Sequence, residues 1–288
     1  MTVLYTRNGD HEIAYETFGQ GGDPLLLIMG LDFPMNWWPD AFCERLVRAG
    51  YHVARFDNRD TGLSTHYPEP AAGNPFRALL GGTRPLYTAT DMAGDGLAVM
   101  DALGWDSAHL MGLSLGSQLA QATALLHPSR VRGLTLCVGG PVTAGSWRLL
   151  TYLRYGVFAK AARLPKAVTA EQEIDNLVEL FRAFASPGYP FPEQWAREAA
   201  TVSHARSPRD PRTTQRQIAA ARAVKLPPLS TITAPTVVIS GADDPLLRPR
   251  AGRDTAAGIP GARFKLYPGM GHNLPEELWD EIITQMPS

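Results

Sequence analysis

The sequence predicts an α/β protein, with a mostly parallel, eight-stranded sheet, helices on both faces and a helical segment inserted late in the chain. Three observations carry this. Leu25-Leu26-Leu27-Ile28-Met29 is apolar at every position, as a strand covered on both faces requires. Strand and helix patterns then alternate as far as Gly139-Gly140-Pro141. In their midst an apolar run, His109 to Leu113, stops at a glycine-flanked serine, and an Ala/Leu-rich helical pattern starts directly after it.

Taken in order, Val3 to Thr6 and Glu12 to Glu16 read as strands joined by Asn8-Gly9-Asp10, a hairpin signal that puts an antiparallel pair at one edge. Leu25 to Met29 ends at Gly30 and begins the parallel sheet. Asp40 is expected to cap a helix from Ala41 to Ala49 that ends at Gly50, and Val53 to Phe56 is the next strand, closed by Asp57. His66 to Tyr87, rich in proline and glycine, reads as a long loop of the kind that lines a site. Thr90 is expected to cap Asp91 to Leu103, whose apolar face precedes Gly104. Ala108 to Leu113 is a strand, Leu119 to Leu126 a buried helix and Val131 to Val138 a strand.

Between residues 142 and 228 helical patterns such as Glu171 to Phe184 and Gln215 to Val224 occur among prolines, with no convincing strand. This segment reads as a helical cap dividing the core into 1–141 and 229–288. The sheet resumes at Thr236 to Ser240, followed by a helix at Arg250 to Ala257, a strand at Arg263 to Tyr267 and a last helix from Glu276 to Met286.

The 288 residues carry 27 Lys and Arg against 28 Asp and Glu, a net charge of -1 that makes no electrostatic case for nucleic acid or an anionic membrane. A small molecule is the expected partner. Cys43 and Cys137 suggest buried thiols rather than a disulfide framework. Neither a leader pattern nor an apolar run of spanning length is present, so a soluble, cytoplasmic protein is expected. The histidines and cysteines show no ligand spacing, so neither metal nor other cofactor is expected.

Gly112-Leu113-Ser114-Leu115-Gly116 has the form Gly-x-Ser-x-Gly. At average composition such a pentapeptide arises by chance about one time in ten in a chain this long, and its place between strand and helix is what makes it informative. In such an elbow the serine Oγ stands clear of the sheet, and the flanking glycines are required by space. A serine nucleophile needs a base, and the base needs a group to hold its tautomer. His272 follows the last strand in the loop Pro268-Gly269-Met270-Gly271, at the carboxyl edge of the sheet that also carries Ser114. His11, His52, His66, His109, His127 and His204 lie at strand starts, a helix end or polar loops and read as structural or solvated.

The orienting carboxylate is expected from Gly241-Ala242-Asp243-Asp244-Pro245. Asp244, directly before proline, is the choice; Asp243 reads as solvent-facing or turn-capping. The backbone N–H groups of Leu31 and Leu115 are the expected oxyanion donors. Leu31 to Trp38 reads as an exposed aromatic loop, in which Trp37 and Trp38 either form a substrate wall or anchor the loop against the first helix.

With these motifs the chain resembles a capped member of the α/β-hydrolase superfamily across its whole length. Phe56 to Ser64, Asp91 to Asp95, the serine elbow, Gly241 to Pro245 and Gly269 to His272 carry the resemblance. More narrowly, Met29-Gly30, Trp38-Pro39-Asp40 with Phe42, and Arg59-Asp60-Thr61-Gly62 are similar to the actinomycete serine hydrolases that include aclacinomycin methylesterase. The resemblance implies that Asp57 and Arg59 order the oxyanion loop as a network. Met29-Gly30 departs from the common His-Gly, and Ser117 stands where a second glycine is common.

Serine at the elbow argues against epoxide hydrolase or dehalogenase chemistry, which the family performs with aspartate. The expectation is carboxylic ester hydrolysis of a mainly hydrophobic small molecule through a Ser114 acyl-enzyme, with the methyl ester of a polyketide implied by the nearer resemblance. Lactone or carbon-carbon bond hydrolysis, cofactor-free perhydrolysis, proton abstraction by His272 and a ligand receptor on the same fold stand as alternatives.

Overall fold

The computed structural model describes residues 2–67, 78, 84–161, 163–210 and 212–287. Its strands are β1 (Leu4–Asn8), β2 (His11–Phe18), β3 (Asp23–Ile28), β4 (Tyr51–Phe56), β5 (Ala108–Leu113), β6 (Val131–Cys137), β7 (Thr236–Gly241) and β8 (Arg263–Tyr267). They form one sheet in the order β1-β2-β4-β3-β5-β6-β7-β8. Among the described strands only β2 runs opposite to its neighbours. The two-residue turn Gly9-Asp10, with Gly9 at φ +61°, makes the expected edge hairpin.

The uniformly apolar β3 is explained by burial on both faces. Leu26 and Ile28 join a cluster with Met92, Val99 and Leu119, whereas Leu25 and Leu27 join one with Phe42, Leu46, Val237 and Ile282. The helices covering these faces are α1 (Asp40–Arg48), α2 (Ala89–Ala102) and α3 (Leu115–Leu126), with α9 (Arg250–Gly258) and α10 (Trp279–Gln285) late in the chain. Between β6 and β7 lie α4 (Ser146–Tyr152), α5 (Gly156–Ala161), α6 (Ala170–Phe184), α7 (Glu193–Arg206) and α8 (Thr213–Arg222). Leu177 and Leu180 of α6 and Ala196 and Ala200 of α7 share the second cluster with Trp37 and Trp38, so this segment lies over the loop that follows β3.

Several local expectations are corrected. Pro39, not Asp40, occupies the cap position of α1, and the Asp40 carboxylate lies 2.7 Å from the Arg55 guanidinium. Thr88, not Thr90, caps α2: its hydroxyl accepts from Asp91 N–H while Asp91 Oδ2 accepts from Thr88 N–H at 2.7 Å, a reciprocal box that needs a three-residue spacing. His204 lies on α7 beside Glu173 rather than in a loop. Most of the expected loop between His66 and Tyr87, residues 68–77 and 79–83, lies outside the described residues. Among the described residues no helix is long and apolar enough to cross a membrane.

Candidate active site

Ser114 sits between β5 and α3 with φ +56°, a left-handed conformation that non-glycine residues hold only where the surroundings impose it. The imposition is steric. A Cβ on Gly112 would lie 2.2 Å from the Gly116 carbonyl oxygen, and one on Gly116 would lie 2.0 Å from that of Ile28. Only glycine at both places lets α3 start this close to the sheet. Ser117, buried at 1% exposure, packs where the family often has glycine and accepts from Gln121 Nε2 at 3.5 Å.

The loop after β8 brings His272 to this turn. His272 Nε2 is 2.9 Å from Ser114 Oγ, and His272 Nδ1 is 2.7 Å from Asp244 Oδ2. Asp244 is 2% exposed, and its other oxygen accepts from the amides of Leu246 and Leu247 at 2.7 and 2.8 Å, which holds the carboxylate toward the ring. Asp243 is exposed and instead accepts from Gly269 N–H at 2.9 Å. A carboxylate at Nδ1 favours the tautomer protonated there, which leaves Nε2 the acceptor side of the ring toward Ser114 Oγ.

The Leu31 amide lies on the loop after β3 and the Leu115 amide at the start of α3, and the two converge on the serine. Leu115 opens α3 directly after Ser114, and a Cβ built on Gly30 would lie 3.3 Å from Ser114 Cβ. Neither amide has a hydrogen-bond acceptor among the described residues. Both are therefore available to an oxygen held above Ser114.

The loop from Met29 to Met35 is held from below by the turn after β4. Asp57 Oδ1 accepts from Met35 N–H at 2.6 Å and its Oδ2 from Leu63 N–H at 2.8 Å, while Asn58 Nδ2 donates to the Met29 carbonyl at 3.0 Å. In this network the Arg59 guanidinium does not reach Asp57: it bonds Asp95 at 2.6 and 2.7 Å, on the α2 side, while the Arg59 carbonyl accepts from Gln217 Nε2 at 3.1 Å. Burial pushes the Asp57 carboxyl up to about 6, against the two amides that favour its charge. Burial also raises Asp32 and Asp95, although Arg209 and Arg59 stand beside them.

A cavity of about 690 Å³ opens over Ser114 and His272 and is lined by Leu31, Phe33, Phe181, Phe184 and Trp195, with Trp37 and Trp38 in its wall. The two tryptophans are not exposed as expected, at 5% and 2%. Trp38 stacks on Phe42 of α1 at 5.8 Å, whereas Trp37 meets Phe33, Phe181 and Trp195 edge-on or tilted and donates its indole N–H to Ser203 Oγ at 2.9 Å. They anchor the loop and bound the cavity at once. Residues not anticipated include Asp32, Gln217 and the α6 and α7 aromatics. Only the aromatics had a local signal, their place on amphipathic helices. Among the described residues no three His, Cys, Asp or Glu are grouped to hold a metal ion.

A mostly parallel sheet with a Ser-His-Asp chain of hydrogen bonds at its carboxyl edge defines a hydrolase scaffold. The chain belongs to the alpha/beta hydrolase fold family, which matches residues 23–277. It is 33% identical over 300 residues to the rhodomycin D methylesterase of Streptomyces peucetius, covering 96% of this chain and 93% of that protein. To the rhodomycin D methylesterase of a further Streptomyces strain it is 33% identical over 277 residues, covering 90% and 88%. An esterase structure from a Rhodococcus species superposes with a TM-score of 0.71 over 100% of both chains at 20% identity, a likeness of fold.

Proposed function

We propose that the protein is a serine esterase that cleaves the methyl ester of a polyketide-type natural product, or a closely similar hydrophobic ester, through a Ser114 acyl-enzyme. The observation that carries this reading is the 2.9 Å and 2.7 Å chain from Ser114 through His272 to Asp244 at the floor of the aromatic cavity. In it His272 takes the proton of Ser114 as the hydroxyl attacks the ester carbonyl, and Asp244 stabilises the imidazolium. The amides of Leu31 and Leu115 receive the developing oxyanion. His272 then returns the proton to the departing alcohol, and water repeats the sequence to release the acid.

Identity to the two rhodomycin D methylesterases supports the methyl ester, and the cavity's volume and aromatic wall support a large apolar acyl part. Residues 142–228 act as the cap that closes this cavity. A cytoplasmic site of action and independence of metal and other cofactors belong to the same reading.

The test is steady-state hydrolysis of methyl esters of polycyclic aromatic acids and of p-nitrophenyl acetate, butyrate and octanoate by wild type and Ser114→Ala. Multiple turnovers lost in Ser114→Ala support the reading, and turnover that survives the substitution overturns it.

A further inference from the structure

The peptide that offers the Leu31 N–H has one long bond of its own, from Phe33 N–H to the Gly30 carbonyl at 3.5 Å, and lies between two more closely anchored peptides. On its amino side the Met29 carbonyl accepts from Asn58 Nδ2 at 3.0 Å. On its carboxyl side the Asp32 N–H donates to Gln217 Oε1 at 2.9 Å. Gln217 Nε2 in turn donates to the Arg59 carbonyl at 3.1 Å, so the Asn58-Arg59 turn and Gln217 form one frame around the loop. Asn58 is 1% exposed and Gln217 is fully buried, which leaves bulk water no place as a substitute partner.

Asp32 supplies a second hold. Its backbone is left-handed at φ +63°, and its carboxylate accepts from Arg209 Nε at 2.8 Å and Thr214 Oγ1 at 2.6 Å. A left-handed aspartate persists only where tertiary contacts over-determine it. Gln217, Arg209 and Thr214 all come from the segment between β6 and β7, 177 to 185 positions along the chain from Asp32. Successive peptide planes are joined only through φ and ψ of the residue between them, so releasing the Asp32 amide lets the Leu31 amide turn as well.

We propose that Gln217 is a positioning residue for ester hydrolysis: braced on the Arg59 carbonyl, it fixes the Asp32 amide and thereby aims the Leu31 N–H at the oxyanion. This rests on the acyl-enzyme reading above. Docking of α8 and completion of the oxyanion hole are then one event, and Asp32, Arg209 and Thr214 secure it.

The experiment compares wild type, Gln217→Leu and Thr214→Val in p-nitrophenyl butyrate hydrolysis, with inhibition by an alkylboronic acid and by butyrate. The boronic acid adds to the serine as a tetrahedral anion with an oxygen in the oxyanion position, whereas butyrate stands for the planar ground state. In Gln217→Leu kcat is expected to fall by about 10- to 100-fold with KM within about threefold, and boronate affinity to fall in step with kcat/KM while butyrate affinity holds. Thr214→Val moves the same way by a smaller factor and decides the matter if Gln217→Leu does not fold.

A purely structural role lowers Tm but leaves kcat of the folded enzyme and boronate affinity within twofold of wild type, and that result overturns the proposal. So does a raised KM with kcat unchanged. Wild type without Ser114-dependent turnover removes the acyl-enzyme reading and this one with it. Wild type with normal turnover and an unaltered Gln217→Leu removes this one alone.

Discussion

Asp244 Oδ2 stands 2.7 Å from His272 Nδ1, while Asp243, its neighbour in sequence, faces away and holds the Gly269 amide at 2.9 Å. Two adjacent carboxylates thus have different tasks, one toward the imidazole and one toward the loop that carries it. Asp244→Asn is expected to lower kcat by up to about four orders of magnitude with the fold intact, because the amide favours the wrong tautomer. Asp243→Asn is expected to change kcat less than about threefold, since it touches no reacting group. Equal losses in the two variants would reassign the carboxylate.

Gly116→Ala tests the steric basis of the elbow. The added Cβ meets the Ile28 carbonyl oxygen at 2.0 Å and the Met29 carbonyl oxygen at 2.8 Å, both of them backbone atoms rather than the ends of flexible side chains. A loss of about 3 kcal/mol in urea unfolding is expected, more than ordinary helix propensity accounts for, since alanine is the better helix former. A stabilised variant would show that α3 slides freely past β3.

The Asp57 carboxyl, raised by burial to about 6, gives a pH signature. The folded state keeps its proton to higher pH than the unfolded chain, so its contribution is complete below about pH 4 and is lost as pH rises through about 6. Relative to Asp57→Asn, wild-type stability should therefore fall by up to about 3 kcal/mol between pH 4 and pH 7. Parallel unfolding free energies for the two proteins over that range would contradict the assignment.

Trp37 distinguishes an anchor from a mere wall. Its side chain is 5% exposed, hydrogen-bonded to Ser203 and packed among Phe33, Phe181 and Trp195. Trp37→Ala is expected to cost about 3–5 kcal/mol of stability, measured by denaturant unfolding, together with a raised KM for the larger p-nitrophenyl esters. A stability change below about 1 kcal/mol would mean that the loop does not depend on this contact.

The strands, the elbow and the loops bearing Asp244 and His272 were legible in the sequence because each is announced locally. An apolar run such as Leu25 to Met29 states burial on two faces, and glycines at 112, 116, 241 and 271 mark where backbones approach. Their order along the chain then places their carboxyl ends on one edge of the sheet. Even the local errors, Asp40 and Thr90 as helix caps, were displacements within a turn, decided by whether a side chain had a better partner in Arg55 or a matching residue three positions on.

What only the tertiary structure decided is how the segment between β6 and β7 closes on the core. Nothing near Gln217 distinguishes it from any polar residue on an amphipathic helix, and its two partners, the Asp32 amide and the Arg59 carbonyl, lie 185 and 158 positions away. The same closure packs Phe181 and Trp195 against Trp37 and brings Arg209 to Asp32. Periodicity and capping report interactions within a few residues, whereas these contacts pair single groups across the whole chain. They exist only once both surfaces have formed and water has been expelled from between them.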